Sequence, residues 1–360
     1  MKQRLSALDL QLISRELEEQ IVGFRLRNIY NIADSNRQFL LKFGKPDSKL
    51  NVVIDCGLRV HTTEFTRPTP PTPSWFVSKL RAHLKEKRLT GVKQVPNDRI
   101  IVFTFADGMY YLVLEFFSAG NVLLLGADQK IILLQRVVDD YEMKVGQNYG
   151  IFNIQSINEN SASPPKSKKY SESELIDWLE EAEIKAKSAI GSAEAPKGKS
   201  KVAIPSIQKL LFIKAPYLSS ELIQNSLKAN GINPSSSCLE FKNDTNTIVD
   251  LMNQLEIEAT TLISSTSTRK GYIVAHKNKL YDPARDKAEL EFSYSNFHPF
   301  KPFMGESSDA IVIEIGGLYN NTVDKFFSTI ESNKYANRIQ NQDFQAQKKL
   351  NEAKKITRQL

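Results

Sequence analysis

Residues 100–138 read IIVFTFADGMYYLVLEFFSAGNVLLLGADQKIILLQRVV. Four runs rich in Ile, Val, Leu, Phe and Tyr are separated by Asp107-Gly108, by SAGN at 118–121 and by ADQK at 127–130. Asp-Gly and Gly-Asn pairs accept the left-handed backbone that tight hairpins need, and aromatic and β-branched runs fit strands. The pattern predicts an antiparallel β-meander packed as a sandwich or small barrel. At the mouth of its first strand stands VPNDRI, residues 95–100, where Pro96 and Asn97 make a turn and Asp98 and Arg99 set a carboxylate beside a guanidinium. Spacing leaves two roles open for the pair: Asp98 caps the turn while Arg99 pairs with Asp9 as scaffolding, or both are held at the surface for a partner. Charged residues at strand mouths are commonly structural, so spacing alone gives the first role more weight.

Upstream, SALDLQLISRELEEQI at 6–21 repeats Leu8, Leu12, Ile13, Leu17 and Ile21 at helical spacing, with Ser6 placed as N-cap and Asp9 in the first turn. RLRNIYNIA, QFLLKF and NVVIDC follow as strands of another antiparallel meander. TRPTPPTPS, residues 66–74, holds four prolines and predicts an extended surface connection. It leads into SWFVSKLRAHLKEKRL, read as a basic amphipathic helix with Trp75, Phe76, Leu80 and Leu84 on one stripe and Lys79, Arg81, Lys85, Lys87 and Arg88 around it. Such a helix suits RNA, an acidic membrane surface or an acidic protein, and charge does not choose among them.

Downstream, residues 156–204 turn to NENSASPPKSKK and GSAEAPKGKSK, which predict flexible linkers around a short helix, SELIDWLEEAEIKAK. Helical patterns then fill 205–263, and short strands return in GYIVAHKNKLYDP, LEFSYSNFHPF and AIVIEI within 264–317. From 318 to 360 the chain reads as helix, with Leu350, Ala353, Ile356 and Leu360 at coiled-coil spacing. That pattern runs to the last residue, which predicts a longer coiled coil in a longer protein.

Composition narrows the class. The 360 residues are 41% hydrophobic and 25% charged, enough for two or three domains with cores. No run is long and apolar enough for a membrane span, and MKQRLSALDLQLISREL lacks the features of a secretory signal, which predicts a cytosolic or nuclear location. Cys56 and Cys238 are far apart, and His61, His83, His276 and His298 are scattered, so neither a metal site nor a nucleophile triad has support and no cofactor is expected. Residues 1–99 carry 18 Lys/Arg against 10 Asp/Glu, leaving 30 against 31 for the rest. The basic excess therefore lies in the first hundred residues, which favours a phosphate-bearing partner there over an ordinary solvated surface.

Taken in order, LSALDLQLISREL (5–17), PTPSWFVSKLRAHLKEKRLTGVKQVPNDRIIVFTF (71–105), EFFSAGNVLLLGADQKIILL (115–134), VGQNY (145–149), the helical segments, FHPF (297–300) and GGLYNNTVDKFFS (316–328) resemble the N-terminal part of the NFACT family. The resemblance covers essentially the whole chain. It implies an α+β fold: a β-rich domain (1–155) similar to the N-terminal domain of formamidopyrimidine-type DNA glycosylases, a linker (156–204), a helix-hairpin-helix module (205–263), strands returning to the first domain (264–317) and the start of a long coiled coil (318–360). It also implies binding to a large ribosomal subunit obstructed by peptidyl-tRNA, recruitment of alanyl- and threonyl-tRNA for mRNA-independent tailing of the stalled chain, and support of a listerin-type ubiquitin ligase. Peptide-bond formation would then belong to the ribosome, with no catalytic residue in this chain.

Asp9, Asp98 and Arg99 match the family residues tied to tail synthesis. Arg offers a planar fork for phosphate or a guanine edge, and a carboxylate accepts from exocyclic amines, edges that single-stranded RNA exposes. The alternative function is a DNA-binding or repair protein of glycosylase-like fold. The N-terminal proline on which the glycosylases act is replaced by Met-Lys-Gln, so that kinship carries no base-excision chemistry. The hairpin FIKAPYLSSEL lacks the Gly-apolar-Gly of phosphate-binding hairpins, so protein packing or a tRNA-shape contact stands open beside phosphate binding as its role.

Overall fold

A computed structural model describes residues 1–33, 35–138, 143–150, 167–191, 204–265, 269–279, 281–284, 286–305 and 308–357. The first sheet is an antiparallel meander of β1 (Arg25–Asn31), β2 (Gln38–Lys45), β3 (Ser48–Asp55) and β4 (Arg59–Thr63). The second runs in sequence order through β5 (Leu89–Gln94), β6 (Ile100–Phe105), β7 (Tyr110–Glu115), β8 (Asn121–Gly126) and β9 (Ile131–Leu134). Each tight turn of this second meander holds left-handed residues where the sequence places them: Asp107 and Gly108, Ser118 and Gly120, and Gln129.

The unbroken apolar runs of β6 to β8 arise because both faces of the sheet are covered. Ile101, Phe103, Phe105, Leu112, Leu114, Val122 and Leu124 enter the main core. Ile100, Val102, Val113, Leu123 and Leu125 face the other way and meet Val95, Met143 and Tyr149 in a second cluster. The first sheet shares the main core, with Phe43 stacked on Phe105 at 6.5 Å between centroids. The β1 end and residues 86–89 exchange backbone hydrogen bonds, Leu26 N–H to Lys87 O and Leu89 N–H to Phe24 O, which ties the two sheets along one edge.

Helix α1 (Ala7–Ile21) starts in a capping box: Ser6 Oγ accepts from Asp9 N–H (3.1 Å) and Asp9 Oδ2 accepts from Ser6 N–H (2.9 Å). The basic helix is shorter than its sequence implies. Helix α2 spans Trp75–Leu84, capped by Ser74, and Glu86 then takes a left-handed φ of 64°. Lys85, Lys87 and Arg88 thus lie in a turn leading to β5. Trp75 is no part of the apolar stripe, being 67% exposed.

The helical region comprises α3 (Glu172–Gly191), α4 (Ile207–Lys214), α5 (Ser220–Ala229) and α6 (Thr245–Ser264). Most of the two linker stretches, 156–166 and 192–203, lies outside the described residues. The α4–α5 connection, Pro216–Leu218, packs toward α1 and ends at Ser219, whose φ of 64° is one glycine takes easily. A third antiparallel sheet, β11 (Phe292–His298), β10 (Lys270–Lys277) and β12 (Ala310–Gly316) in spatial order, packs on the start of α7 (Tyr319–Thr357). Farther along α7, residues 345–354 are exposed, Leu350 by 54%.

Candidate nucleic-acid interface

The turn between β5 and β6 is closed by its own backbone. Val95 N–H donates to Ile100 O (2.9 Å) and Asp98 N–H to Val95 O (3.1 Å), with Asn97 left-handed at φ 56°. Asp98 Oδ1 accepts from Arg99 N–H (2.7 Å), and the Gln94 carboxamide donates to Asp98 O (2.7 Å). Arg99 O accepts from Phe116 N–H (2.8 Å), which joins the turn to the end of β7. Asp98 therefore does cap the turn, while both side chains stay half-buried at the rim. Among the described residues the Arg99 guanidinium forms no hydrogen bond or close ion pair. Burial pushes its pKa down, the neighbouring Arg4 guanidinium adds to that, and Asp98 opposes it.

Asp9 belongs to a different network. It is 1% exposed; Oδ2 lies 2.8 Å from Lys2 Nζ, and Oδ1 accepts from Tyr319 OH at 2.6 Å. The Asp9–Arg99 bridge that spacing allowed does not form, since Asp9 is fully engaged by Ser6, Lys2 and Tyr319. One turn pair along, Glu16 is also buried and accepts from Tyr319 N–H (2.8 Å), Asn320 N–H (2.9 Å) and Asn320 Nδ2 (2.8 Å), with Arg269 Nη1 at 3.1 Å. These two carboxylates, seven residues apart on one face of α1, hold the first turn of α7 at its positive end. Sequence reading passed over Glu16, although its place among Leu12, Ile13 and Leu17 was a signal that something charged had to be satisfied inside.

Asp9 still bears on the turn through its helix. Gln94, which holds Asp98, also reaches Ala7 O (3.4 Å) at the start of α1. Asp98 and Arg99 are thus brought together at the surface, and Asp9 stands behind them in the interior.

The five basic residues of the α2 region divide. Lys79, Lys85 and Arg88 are exposed and Lys87 half-buried, whereas Arg81 donates to Ile29 O (2.7 Å) and lies 5.1 Å over the Tyr30 ring. Strands β1 and β2 add Arg25, Arg27, Lys42 and Lys45, all exposed, at outward positions of the pleat. Arg27 pairs with Glu86, and Lys42 covers Tyr30 at 5.0 Å. Among the described residues no cluster of His, Cys, Asp and Glu could hold a metal ion, and no helix is long and apolar enough to cross a membrane. Both cysteines are buried and free, and burial pushes the Cys56 thiol up to about 11.

Residues 6–173 match the family described as NFACT N-terminal and middle domains. Ribosome quality control complex subunit 2 of Saccharomyces cerevisiae is 53% identical over 369 residues, 98% of this chain and 36% of that protein. The chain belongs to the NFACT family. Ribosome quality control complex subunit 2 of Schizosaccharomyces pombe is 36% identical over 98% of the chain and 36% of its own length, so this NFACT chain spans about a third of both relatives. The solved fibrinogen binding protein of Staphylococcus aureus superposes with a TM-score of 0.51 at 14% identity, covering 89% of this chain and 98% of that one. That likeness shows a shared fold, in keeping with the α+β class.

Proposed function

We propose that this chain is the tRNA-reading and subunit-docking part of a ribosome-associated quality control factor. Such a factor binds the large ribosomal subunit obstructed by peptidyl-tRNA, recruits alanyl- and threonyl-tRNA for tailing of the stalled chain, and supports a listerin-type ubiquitin ligase, acting in the cytoplasm. The relatives' names, ribosome quality control complex subunit 2, support this reading. Within it the first two sheets with α1 are the glycosylase-like domain, α4 and α5 the helix-hairpin-helix, and α7 the first arm of the coiled coil. Peptide-bond formation is left to the ribosome.

The observation that carries the reading is the Arg99 guanidinium, half-buried beside Asp98 on a tight turn and, among the described residues, without a hydrogen bond or close ion pair. A guanidinium so placed is pre-organised to stack on, or bind bidentately to, an unpaired base. Asp9 acts from behind, holding the segment against which the turn rests. The basic outer face, Lys79, Lys85, Lys87 and Arg88 with Arg25 and Arg27, serves ribosomal RNA by neutralising phosphates. Arg81 supports that face through Tyr30. The test is tail addition in cells carrying Asp98→Ala or Arg99→Ala full-length protein: tails disappear while co-sedimentation with the large subunit persists. Joint loss of tailing and subunit binding would instead make the turn a general docking element.

A further inference from the structure

Arg99 is one of four arginines on the same rim. Leu5 N–H donates to Leu58 O (2.9 Å), and Gln94 spans Ala7 O and Asp98 O, so the N-terminal segment carrying Arg4 lies between the β3–β4 and β5–β6 turns. The β3–β4 turn in turn touches the β7–β8 turn backbone to backbone: a Cβ on Gly120 would fall 2.1 Å from Gly57 Cα. Arg37 straddles this contact, its Nη2 donating to Cys56 O (3.2 Å) and to Ala119 O, and Arg136 donates from Nε and Nη2 to Gly120 O (3.3 and 3.2 Å).

All four side chains are half-buried, and each guanidinium carries five N–H donors. Arg37 spends one nitrogen and Arg136 two. Arg4, like Arg99, has no hydrogen bond or close ion pair among the described residues. Among the described residues no carboxylate forms a close ion pair with any of the four: Glu115, which feels Arg136, is buried and accepts from Tyr149 OH (2.7 Å), Asp55 accepts from Gln38 and sits beside Arg59, and Asp98, which feels Arg99, accepts from the Arg99 backbone N–H.

Resting on the function above, we propose that Arg4, Arg37 and Arg136 cradle successive phosphates of the single-stranded RNA loop whose base Asp98 and Arg99 address. Guanidinium groups match phosphate oxygens in bidentate geometry, and an anion here relieves the repulsion between Arg4 and Arg99. Phosphate contacts fix register and leave sequence discrimination to the base contacts.

The test is the salt dependence of tRNA binding by the full-length protein and its Arg4→Ala, Arg37→Ala, Arg136→Ala and Arg99→Ala variants, with thermal unfolding measured alongside. Each lost phosphate contact on a single strand makes the slope of log K against log salt shallower by about 0.7, equally for all tRNAs. Arg4→Ala is the decisive variant, because the Arg4 side chain has no hydrogen bond to lose among the described residues, and Arg4→Lys is expected to restore most of the slope. Unchanged affinity and slope in Arg4→Ala, with Arg99→Ala impaired, would overturn the cradle and leave the reading turn intact. Absence of tRNA binding by the unsubstituted protein would overturn the function beneath it as well.

Discussion

Arg99 and Glu16 show how differently two charged residues serve this molecule. Among the described residues the Arg99 guanidinium donates to no protein acceptor, so Arg99→Ala removes a binding group and no hydrogen-bonded scaffold. We expect tRNA affinity to fall by about ten- to a hundred-fold, the usual worth of one good base contact, while the midpoint of thermal unfolding stays within the range of a neutral surface change. Glu16 is the reverse case. Glu16→Ala strips three donors on Tyr319 and Asn320 of their acceptor and takes from Arg269 its nearer carboxylate, leaving it Ser265 O and, at 3.7 Å, Glu19. Breaking a buried pair in this way costs about 3–5 kcal/mol, and urea unfolding should report a loss of that size. The sequence made Arg99 findable through its turn and the family motif. It could not reveal that Asp9 points inward, because Lys2 and Tyr319, which claim it, lie seven residues before it and more than three hundred after it.

At the scale of elements, the β3–β4 and β7–β8 turns are fixed by two glycines that leave no room for a side chain. Gly120→Ala would place its Cβ against Gly57 in a left-handed conformation that itself costs about 1–2 kcal/mol, and the clash is with backbone that cannot swing away. We expect a marked drop in the unfolding midpoint together with weakened tRNA binding, since Arg37 and Arg136 hang on the same turns; near-normal stability would show that the contact relaxes. The meander containing Gly120 was legible because its turns carry their own chemistry. Strands β4 and β5 were not: RVHTT has little apolar periodicity, since Arg59 and His61 are buried against α7, and LTGVKQ follows a basic run that itself reads as helix. Helix α2 stops early because the chain must turn at Glu86 to hand Leu26 and Phe24 their backbone partners.

Across the whole molecule, α1 links the reading turn to the long helix. Its start braces Asp98 through Gln94, and its buried face caps α7, so the direction of α7 is set relative to the rim. Lys2 extends the link to the helical region: its Nζ lies 2.6 Å from Glu221 on α5, and His298 Nδ1 of β11 stands 3.5 Å from the same carboxylate. Burial works to raise the Glu221 pKa, but His298 and Lys2 outweigh it and hold the carboxyl at about 2, below its ordinary 4.5. A depressed carboxylate contributes stability that is present above the unfolded value and lost as pH falls toward the folded one. Stability should therefore decline between about pH 4.5 and 2, and Glu221→Gln should flatten that decline in acid-unfolding curves; an identical acid limb would place the proton elsewhere. Such long-range joints are invisible to local pattern, which is why the sequence yielded helices, meanders and an order of segments but not the clasp between them. The central claim is that the rim around Asp98 and Arg99 reads tRNA. Crosslinking full-length protein to bound RNA in cells, with sequencing of the RNA and mapping of the peptide, tests it most directly. The account predicts tRNA loop nucleotides joined to peptides containing residues 95–100, alongside large-subunit rRNA, and loss of the tRNA crosslinks alone in Arg99→Ala; recovery of duplex DNA, or tRNA crosslinks that survive Arg99→Ala at full yield, would contradict it.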